Sequence, residues 1–233
     1  MKTFFRWFHK LLLGWTVWLY FRPRIRYEEK GSMPKGPVLL VSNHKNHMDF
    51  LLMELLFYFR YVRCLVGKTF YESSGLITFL LRMLGAIKVD RFSFDMEFFY
   101  QCMDALKKGQ TLLIFPEGKF STDGTLAEFR DTAALLALQA GVPVVPVYCA
   151  GNYQPFQRLQ LIFGRPIALS QRPSAAGVQK ATAELQRVMQ ELQEELERKM
   201  KPKYLARSRR FRENSVRKAE KRQENQEKGQ KES

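Results

Sequence analysis

The chain has 233 residues, 45% of them hydrophobic, and a formal net charge of +15. This length predicts one domain with appendages, and the positive charge predicts an anionic partner, either nucleic acid or an anionic membrane surface. The three cysteines are far apart, so they give no disulfide framework and no paired zinc ligands, and they suit a reducing cytoplasm.

The N-terminal segment, residues 1–33, has the pattern of a helix that lies in a membrane interface. Its uncharged stretch, 11–21, is shorter than the roughly 20 apolar residues of a spanning helix, and basic residues flank it on both sides. We therefore expect a peripheral protein on the cytoplasmic face of the cell membrane, with a helix of the core as the alternative. Apolar residues recur at helical spacing at Phe4, Phe8, Leu11, Trp15, Trp18 and Leu19, with Lys2, Arg6 and Lys10 on another side.

A strand predicted at 38–41 is followed directly by His44 and Asp49. If the chain turns there and a helix begins near Asn46, Asp49 can accept a hydrogen bond from one imidazole nitrogen. The other nitrogen is then available to take a proton near pH 7. The arrangement predicts a general base, with an ordinary N-cap as the alternative, and a metal site that includes His47 is not expected.

Helices are predicted at 48–59 and 76–84, and the second leads into a short apolar stretch that ends in charged residues, Arg91 among them. A further helix is predicted at 93–107. Its apolar face favours core packing over an acyl pocket. No internal repeat is present, so these elements predict one alternating α/β unit.

A second buried strand, at 111–115, ends at a proline and a glycine. Open α/β sheets bind ligands at the carboxyl ends of their strands, so this exit is a candidate binding site. A helix at 133–140 should end at Gly141. The run 142–147 contains two prolines, which fit an edge or irregular strand better than a central one. The polar exit comprises Glu117, Gly118 and Lys119.

The chain changes character after residue 172. An amphipathic helix is expected in segment 173–201, because apolar residues recur at helical spacing from 178 to 196. Segment 202–233 is rich in Arg, Lys, Gln and Glu and is expected to be a disordered basic tail. The tail could contact anionic lipid or RNA, or could be solvated only.

Four of these blocks, in this order and spacing, resemble the motifs of the glycerolipid and lysophospholipid acyltransferase family. The block from His44 to Asp49 is similar to its H-x-x-x-x-D motif, and residues 85–91, 115–118 and 142–147 are similar to its second, third and fourth motifs. The resemblance implies an α/β fold with a mostly parallel central sheet flanked by helices, which we expect to occupy residues 34–172.

The resemblance also implies transfer of a fatty acyl group from acyl-CoA or acyl carrier protein to the free hydroxyl of a lysophospholipid, without a cofactor. The expected acceptor is 1-acyl-sn-glycerol-3-phosphate and the product phosphatidic acid. His44 would deprotonate the hydroxyl and Asp49 would orient the imidazole. Arg91 would contact the substrate phosphate, while Glu117 and Gly118 would bind the acceptor.

The third motif departs from the family pattern. Members commonly continue it with Thr-Arg-Ser, where this chain has Lys119, Phe120 and Ser121. Without that guanidinium, the remaining basic candidates for a phosphate are Lys119, Lys68 and Arg130. Another lysophospholipid acceptor therefore remains an alternative. A basic nucleic-acid-binding protein is the alternative of a different class, but no docking motif supports it and we expect no nucleic-acid partner.

Overall fold

Among the residues that the structure describes, seven strands form one central sheet in a computed structural model of the protein. They are β1 (Arg24–Tyr27), β2 (Val38–Ser42), β3 (Val62–Gly67), β4 (Ile87–Val89), β5 (Thr111–Ile114), β6 (Val144–Ala150) and β7 (Gln160–Phe163). Their order is β1-β7-β6-β2-β5-β3-β4. Strands β2 to β6 are parallel, whereas β7 is antiparallel to β6 and β1 is parallel to β7. The predicted mostly parallel sheet is therefore confirmed.

Helices cover both faces of this sheet. In the described part of the chain they are α1 (Met48–Leu56), α2 (Lys68–Tyr71), α3 (Gly75–Leu84), α4 (Glu97–Lys107), α5 (Thr132–Ala140) and α6 (Ala175–Lys199). Alternate residues of β2 point to opposite faces, with Leu39 and Val41 in one apolar cluster and Val38 and Leu40 in the other. The first cluster includes residues of α4, α5 and α6, and the second includes residues of α1, α2 and α3.

The structure describes most of the chain between residues 19 and 202. Phe4, Trp18, His47 and Arg91, which the sequence analysis singled out, lie outside the described residues. The described N-terminal residues 8, 10, 11, 14–16 and 19–21 are helical, and we call them the N-terminal helical segment. The described residues are 8, 10, 11, 14–16, 19–46, 48–90, 96–121, 125–151, 153, 158–202, 204–206, 210, 213, 214 and 217.

The expectation of an edge or irregular strand at 142–147 is wrong. Strand β6 is fully buried and lies between β2 and β7. Its Pro146 is tolerated because it sits just beyond the last residue of β7, where its carbonyl accepts a hydrogen bond from the Gly164 amide at 2.9 Å. A Cβ at position 164 would lie 2.7 Å from Cγ of Pro146, so the proline ring fills space that a side chain would need.

Both ends of the domain differ from the expected boundaries. Strand β1 places residues 24–27 in the sheet, before the expected start at 34, because it pairs in register with β7. At the other end, the described residues of 202–217 are helical, although a disordered tail was expected. Tyr204 and Leu205 pack against the cluster that contains α6, which accounts for the helical residues nearest to α6.

The N-terminal helical segment is fastened to the domain by Lys10. The helical pattern grouped this residue with Lys2 and Arg6 on the side away from the apolar residues, and only 4% of its side chain is exposed. Its Nζ lies 3.1 Å from Oε1 of the buried Glu54 and donates to the carbonyls of Phe57 and Arg60 at 2.9 and 2.7 Å. The opposite side is exposed and apolar, and across the described residues no helix has the length and apolarity to cross a bilayer. The exposed apolar residues are Phe8, Leu11, Trp15 and Leu19.

Candidate active site

The end of β2 is locked in place by Asn43. Its side chain donates to the carbonyl of Cys149 at 3.0 Å and accepts from the amide of Cys149 at 2.8 Å, so it is paired with β6 in both directions. The chain then turns, and the side chain of Asn46 accepts from the amide of Met48 at 3.0 Å, at the start of α1. This is the strand, turn and helix that the sequence predicted.

His44 and Asp49 meet across this turn. Nδ1 of His44 lies 2.9 Å from Oδ2 of Asp49, which also accepts from the amides of Lys45 and Asn46 at 2.6 and 2.8 Å. Oδ1 accepts from the hydroxyl of Tyr153. The carboxylate is 2% exposed, so these donors take the place of water around its charge. An ionised Asp49 fixes the tautomer of His44 that carries its proton on Nδ1.

Two aromatic rings hold the imidazole. The ring of Phe115 stacks on it with centroids 4.0 Å apart and planes at 12°, and the ring of Phe120 lies 4.2 Å away at 41°. The His44 side chain is 15% exposed, and its Nε2 has no hydrogen-bond partner among the described residues. Nε2 is thus the nitrogen left to exchange a proton with a substrate. Phe120, which replaces the family's arginine, contributes to the wall around the base.

Glu117 orders the backbone of this base. Its Oε1 accepts from the amide of His44 at 2.9 Å and its Oε2 from the amide of Ala127 at 3.0 Å, while the amide of Ser121 donates to the carbonyl of His44 at 2.8 Å. The side chain is 3% exposed, and its burial raises the pKa of Glu117 above its ordinary value. Its contacts are those of a positioning residue, and the acceptor contact expected of it stays a prediction.

The turn that carries Glu117 needs glycine at its next position. Gly118 has a φ of 65°, and a Cβ there would lie 2.7 Å from Nε of Arg130. The Arg130 side chain thus runs close over the turn, and its amide donates to the carbonyl of Pro116 at 2.9 Å. Gly118 thus directly follows Glu117, which bonds to the His44 amide, and Arg130 lies against Gly118; the substrate contacts expected of Gly118 and Arg130 stay predictions.

The other basic candidates lie at the same edge of the sheet. Lys119 is exposed and follows Gly118. Lys68 directly follows β3, and its Nζ is paired with Asp90, which follows β4, at 2.9 Å. Because β3, β4 and β5 are parallel, their carboxyl ends share one edge. Arg91 lies outside the described residues, so its phosphate contact stays a prediction.

The cysteines are buried free thiols, and burial raises the pKa of Cys102 and Cys149 to about 12, so both are neutral near pH 7. Across the described residues, no three His, Cys, Asp or Glu side chains form a group able to hold a metal ion. His47 lies outside them.

Sequence reasoning missed Tyr153. It lies 104 residues from its partner Asp49, between β6 and β7, so no local pattern links the two. It also missed the packing role of Phe120. That position was visible as a departure from the third motif, but which ring it would contact depends on the fold.

Comparison with known proteins agrees with this architecture. A sequence model of the family described as Acyltransferase matches residues 24–150. A chloroplastic 1-acyl-sn-glycerol-3-phosphate acyltransferase of Brassica napus is 28% identical over 154 residues, which cover 65% of this chain and 44% of that protein. The lyso-ornithine lipid O-acyltransferase of Pseudomonas aeruginosa is 31% identical over 118 residues, which cover 50% of this chain and 44% of that protein.

Among solved structures, the 1-acyl-sn-glycerophosphate acyltransferase of Thermotoga maritima shares the fold. It superposes with a TM-score of 0.58 at 23% identity, and the match covers 80% of this chain and 79% of that one. The chain spans less than half the length of the two relatives above. Because the family model matches more than half of the chain, from residue 24 to residue 150 of 233, this protein belongs to the acyltransferase family.

Proposed function

We propose that the protein transfers a fatty acyl group from an acyl thioester to the free hydroxyl of 1-acyl-sn-glycerol-3-phosphate and forms phosphatidic acid. The observation that carries the proposal is the imidazole of His44, held by Asp49 through Nδ1 and free at Nε2 among the described residues. The printed activities of the relatives supply the substrate class. Acyl transfer to a lysolipid is what both of the curated relatives are named for.

The proposed reaction needs one proton acceptor. Nε2 of His44 takes the proton of the acceptor hydroxyl while the hydroxyl oxygen bonds to the carbonyl carbon of the thioester. Asp49 stabilises the imidazolium that forms. The carbon–sulfur bond then breaks, and the departing thiolate takes the proton back from Nε2. The products are the new ester and a free thiol, and no covalent acyl-enzyme is needed.

The acceptor headgroup is the finer part of the proposal. Arg91, Lys68, Lys119 and Arg130 are the cations expected to bind a phosphate, and a guanidinium can do so with two parallel hydrogen bonds. Phe120 removes one such guanidinium from the third motif, and one relative is named for a lysolipid other than lysophosphatidic acid. The loss of that guanidinium at Phe120 makes a different lysophospholipid the second candidate acceptor.

An acceptor panel tests the proposal. Purified full-length protein is given acyl-CoA or acyl carrier protein as donor with a series of lysolipids, and the products are identified by mass spectrometry. We expect phosphatidic acid, with the phosphate monoester preferred by at least about tenfold, the worth of one lost charge-assisted hydrogen bond. Preference for another lysolipid would move the assignment to the second candidate. No acylation of any lysolipid would overturn the proposed function.

We also propose that the protein binds membranes peripherally through its exposed apolar surface. The exposed side chains of the N-terminal helical segment follow a helical stripe. Helix α3 exposes a second stripe, Leu76, Phe79 and Leu80, while its Leu81 and the buried Phe21 lie in the same apolar cluster. Both stripes thus belong to the same side of the sheet. The expected surface is the anionic cytoplasmic leaflet, since the net charge is +15.

Charges placed in the N-terminal stripe should release the protein from vesicles. We expect Trp15→Glu with Leu19→Glu to weaken binding to anionic vesicles at least about tenfold, because two exposed apolar side chains no longer enter the lipid. Vesicle sedimentation measures the change. Tyr100→Glu, at an exposed residue of α4 on the other side of the sheet, is the matched control and should bind normally. Equal binding by both variants would contradict the proposal.

A further inference from the structure

We propose that Tyr153 is a positioning residue for the reaction, which holds Asp49 through Oδ1 while His44 uses Oδ2. The kinetic part of this inference rests on the proposed function. Its structural part does not, because it concerns the orientation and titration of one imidazole.

The hydrogen bonds of Asp49 show why a fourth donor matters. Oδ2 is shared by Nδ1 of His44 and the amides of Lys45 and Asn46, which all approach from one side. Oδ1 faces the other way and accepts from the hydroxyl of Tyr153. At 2% exposure water cannot replace that donor, so the tyrosine fixes the rotation of the carboxylate about its last side-chain bond.

Tyr153 is itself held at both its ring and its hydroxyl. Its ring meets the buried ring of Phe21 edge to face, with centroids 5.4 Å apart and planes at 74°. Phe21 is anchored in turn, because its carbonyl accepts from the amide of Leu159 at 3.1 Å. The hydroxyl lies 3.9 Å from Sγ of Cys149. Burial, with the nearby Asp49 charge, raises the pKa of Tyr153, so the hydroxyl keeps its proton and acts as a donor.

Loss of this donor has a defined electrostatic sign. A buried carboxylate that has lost one hydrogen-bond donor binds a proton more tightly. Its charge is also less compensated by donors, so it attracts the imidazolium more strongly. Both effects raise the pH at which the coupled pair takes up its proton. The groups that face the pair are Glu117 behind the His44 amide, Lys45 beside it, Cys64 from β3, and Cys149 and Tyr153 from the end of β6 and beyond.

Kinetics of Tyr153→Phe test the role in catalysis. The variant keeps the ring and its contact with Phe21 but removes the hydroxyl. We expect kcat to fall about tenfold to a hundredfold, both KM values to change less than about twofold, and the acid limb of the pH profile to move to higher pH. Tyr71→Phe, at a buried tyrosine of α2 in the same apolar cluster, is the matched control and should behave as wild type. A rise confined to KM, or an unchanged acid limb, would overturn the inference.

Imidazole titration by nuclear magnetic resonance provides a test that needs no activity. The chain has three histidines, and the His44 signal is the one lost in His44→Gln. We expect its midpoint at higher pH in Tyr153→Phe than in wild type or Tyr71→Phe. Tyr153→3-fluorotyrosine keeps the side chain almost unchanged but makes its hydroxyl a stronger donor, so it should shift the midpoint to lower pH. Unchanged midpoints in both Tyr153 variants would overturn the inference even if the protein acylates lysolipids.

Discussion

His44→Ala should reduce acyl transfer by at least about a hundredfold and up to about ten-thousandfold, the range that a general base contributes. The reason is that His44 is the only histidine among the residues that the structure describes, and its Nε2 is open to substrate while its Nδ1 is held by Asp49. Initial rates of product formation, measured by mass spectrometry, give the ratio. Circular dichroism and vesicle sedimentation should show the wild-type fold and membrane binding, because His44 belongs to neither apolar stripe, although loss of its contacts with Phe115 and Asp49 should lower the unfolding temperature.

His47→Ala is the matched control for that experiment. It removes the neighbouring imidazole, which the base hypothesis does not use, and should leave the rate within about twofold of wild type. Equal loss in the two variants, together with inhibition by chelators, would favour metal-assisted chemistry on His44, His47 and Asp49. Retained turnover in His44→Ala would reject the base assignment outright.

Lys10→Ala should lower the free energy of unfolding by about 3–5 kcal/mol, because it leaves the buried carboxylate of Glu54 without its cation. Lys10 and Glu54 are 4% and 0% exposed, and Nζ also satisfies the carbonyls of Phe57 and Arg60, just beyond the end of α1. The same change should loosen the N-terminal helical segment. Urea unfolding followed by circular dichroism measures the loss, and amide hydrogen exchange locates it.

The double variant Lys10→Met with Glu54→Leu shows whether Lys10→Ala loses stability through the remaining charge of Glu54 or through lost side-chain packing. Apolar residues of similar size often replace a buried ion pair at little cost, so the double variant should be clearly more stable than Lys10→Ala. If Lys10→Ala lowers the free energy of unfolding by less than about 1 kcal/mol, the ion pair does not hold the N-terminal helical segment on the domain.

Prediction from the sequence succeeded where a local pattern is strong enough to determine the element. The apolar runs 38–41 and 111–115 predicted buried strands, and β2 and β5 are buried at every residue. Gly141 was expected to end a helix, and it caps α5 with a φ of 61°. The contact between His44 and Asp49 was also predictable from local features, because the sequence signals for a strand, a turn and a helix start all lie within a few residues.

Features that depend on distant partners were not predictable. Strand β1 has the sequence Arg-Ile-Arg-Tyr and becomes a strand through its pairing with β7, whose residues lie far along the chain. Pro146 made a central strand look unfavourable in the sequence, and only the position of Gly164 beside it in the fold shows how β6 accommodates the proline. The amphipathic pattern placed Lys10 on the basic side of the helix, but its ion pair with the buried Glu54 determines its position. In each case tertiary contacts outweighed local preference.

A structure of the protein with a bound lysophospholipid acceptor would show whether His44 is placed to act as the base. We expect the free glycerol hydroxyl within about 2.6–3.2 Å of Nε2 of His44, or joined to it by one water, while Nδ1 stays on Asp49. Acceptor bound with its hydroxyl away from Nε2, or with the His44 ring turned off Asp49, would contradict the mechanism.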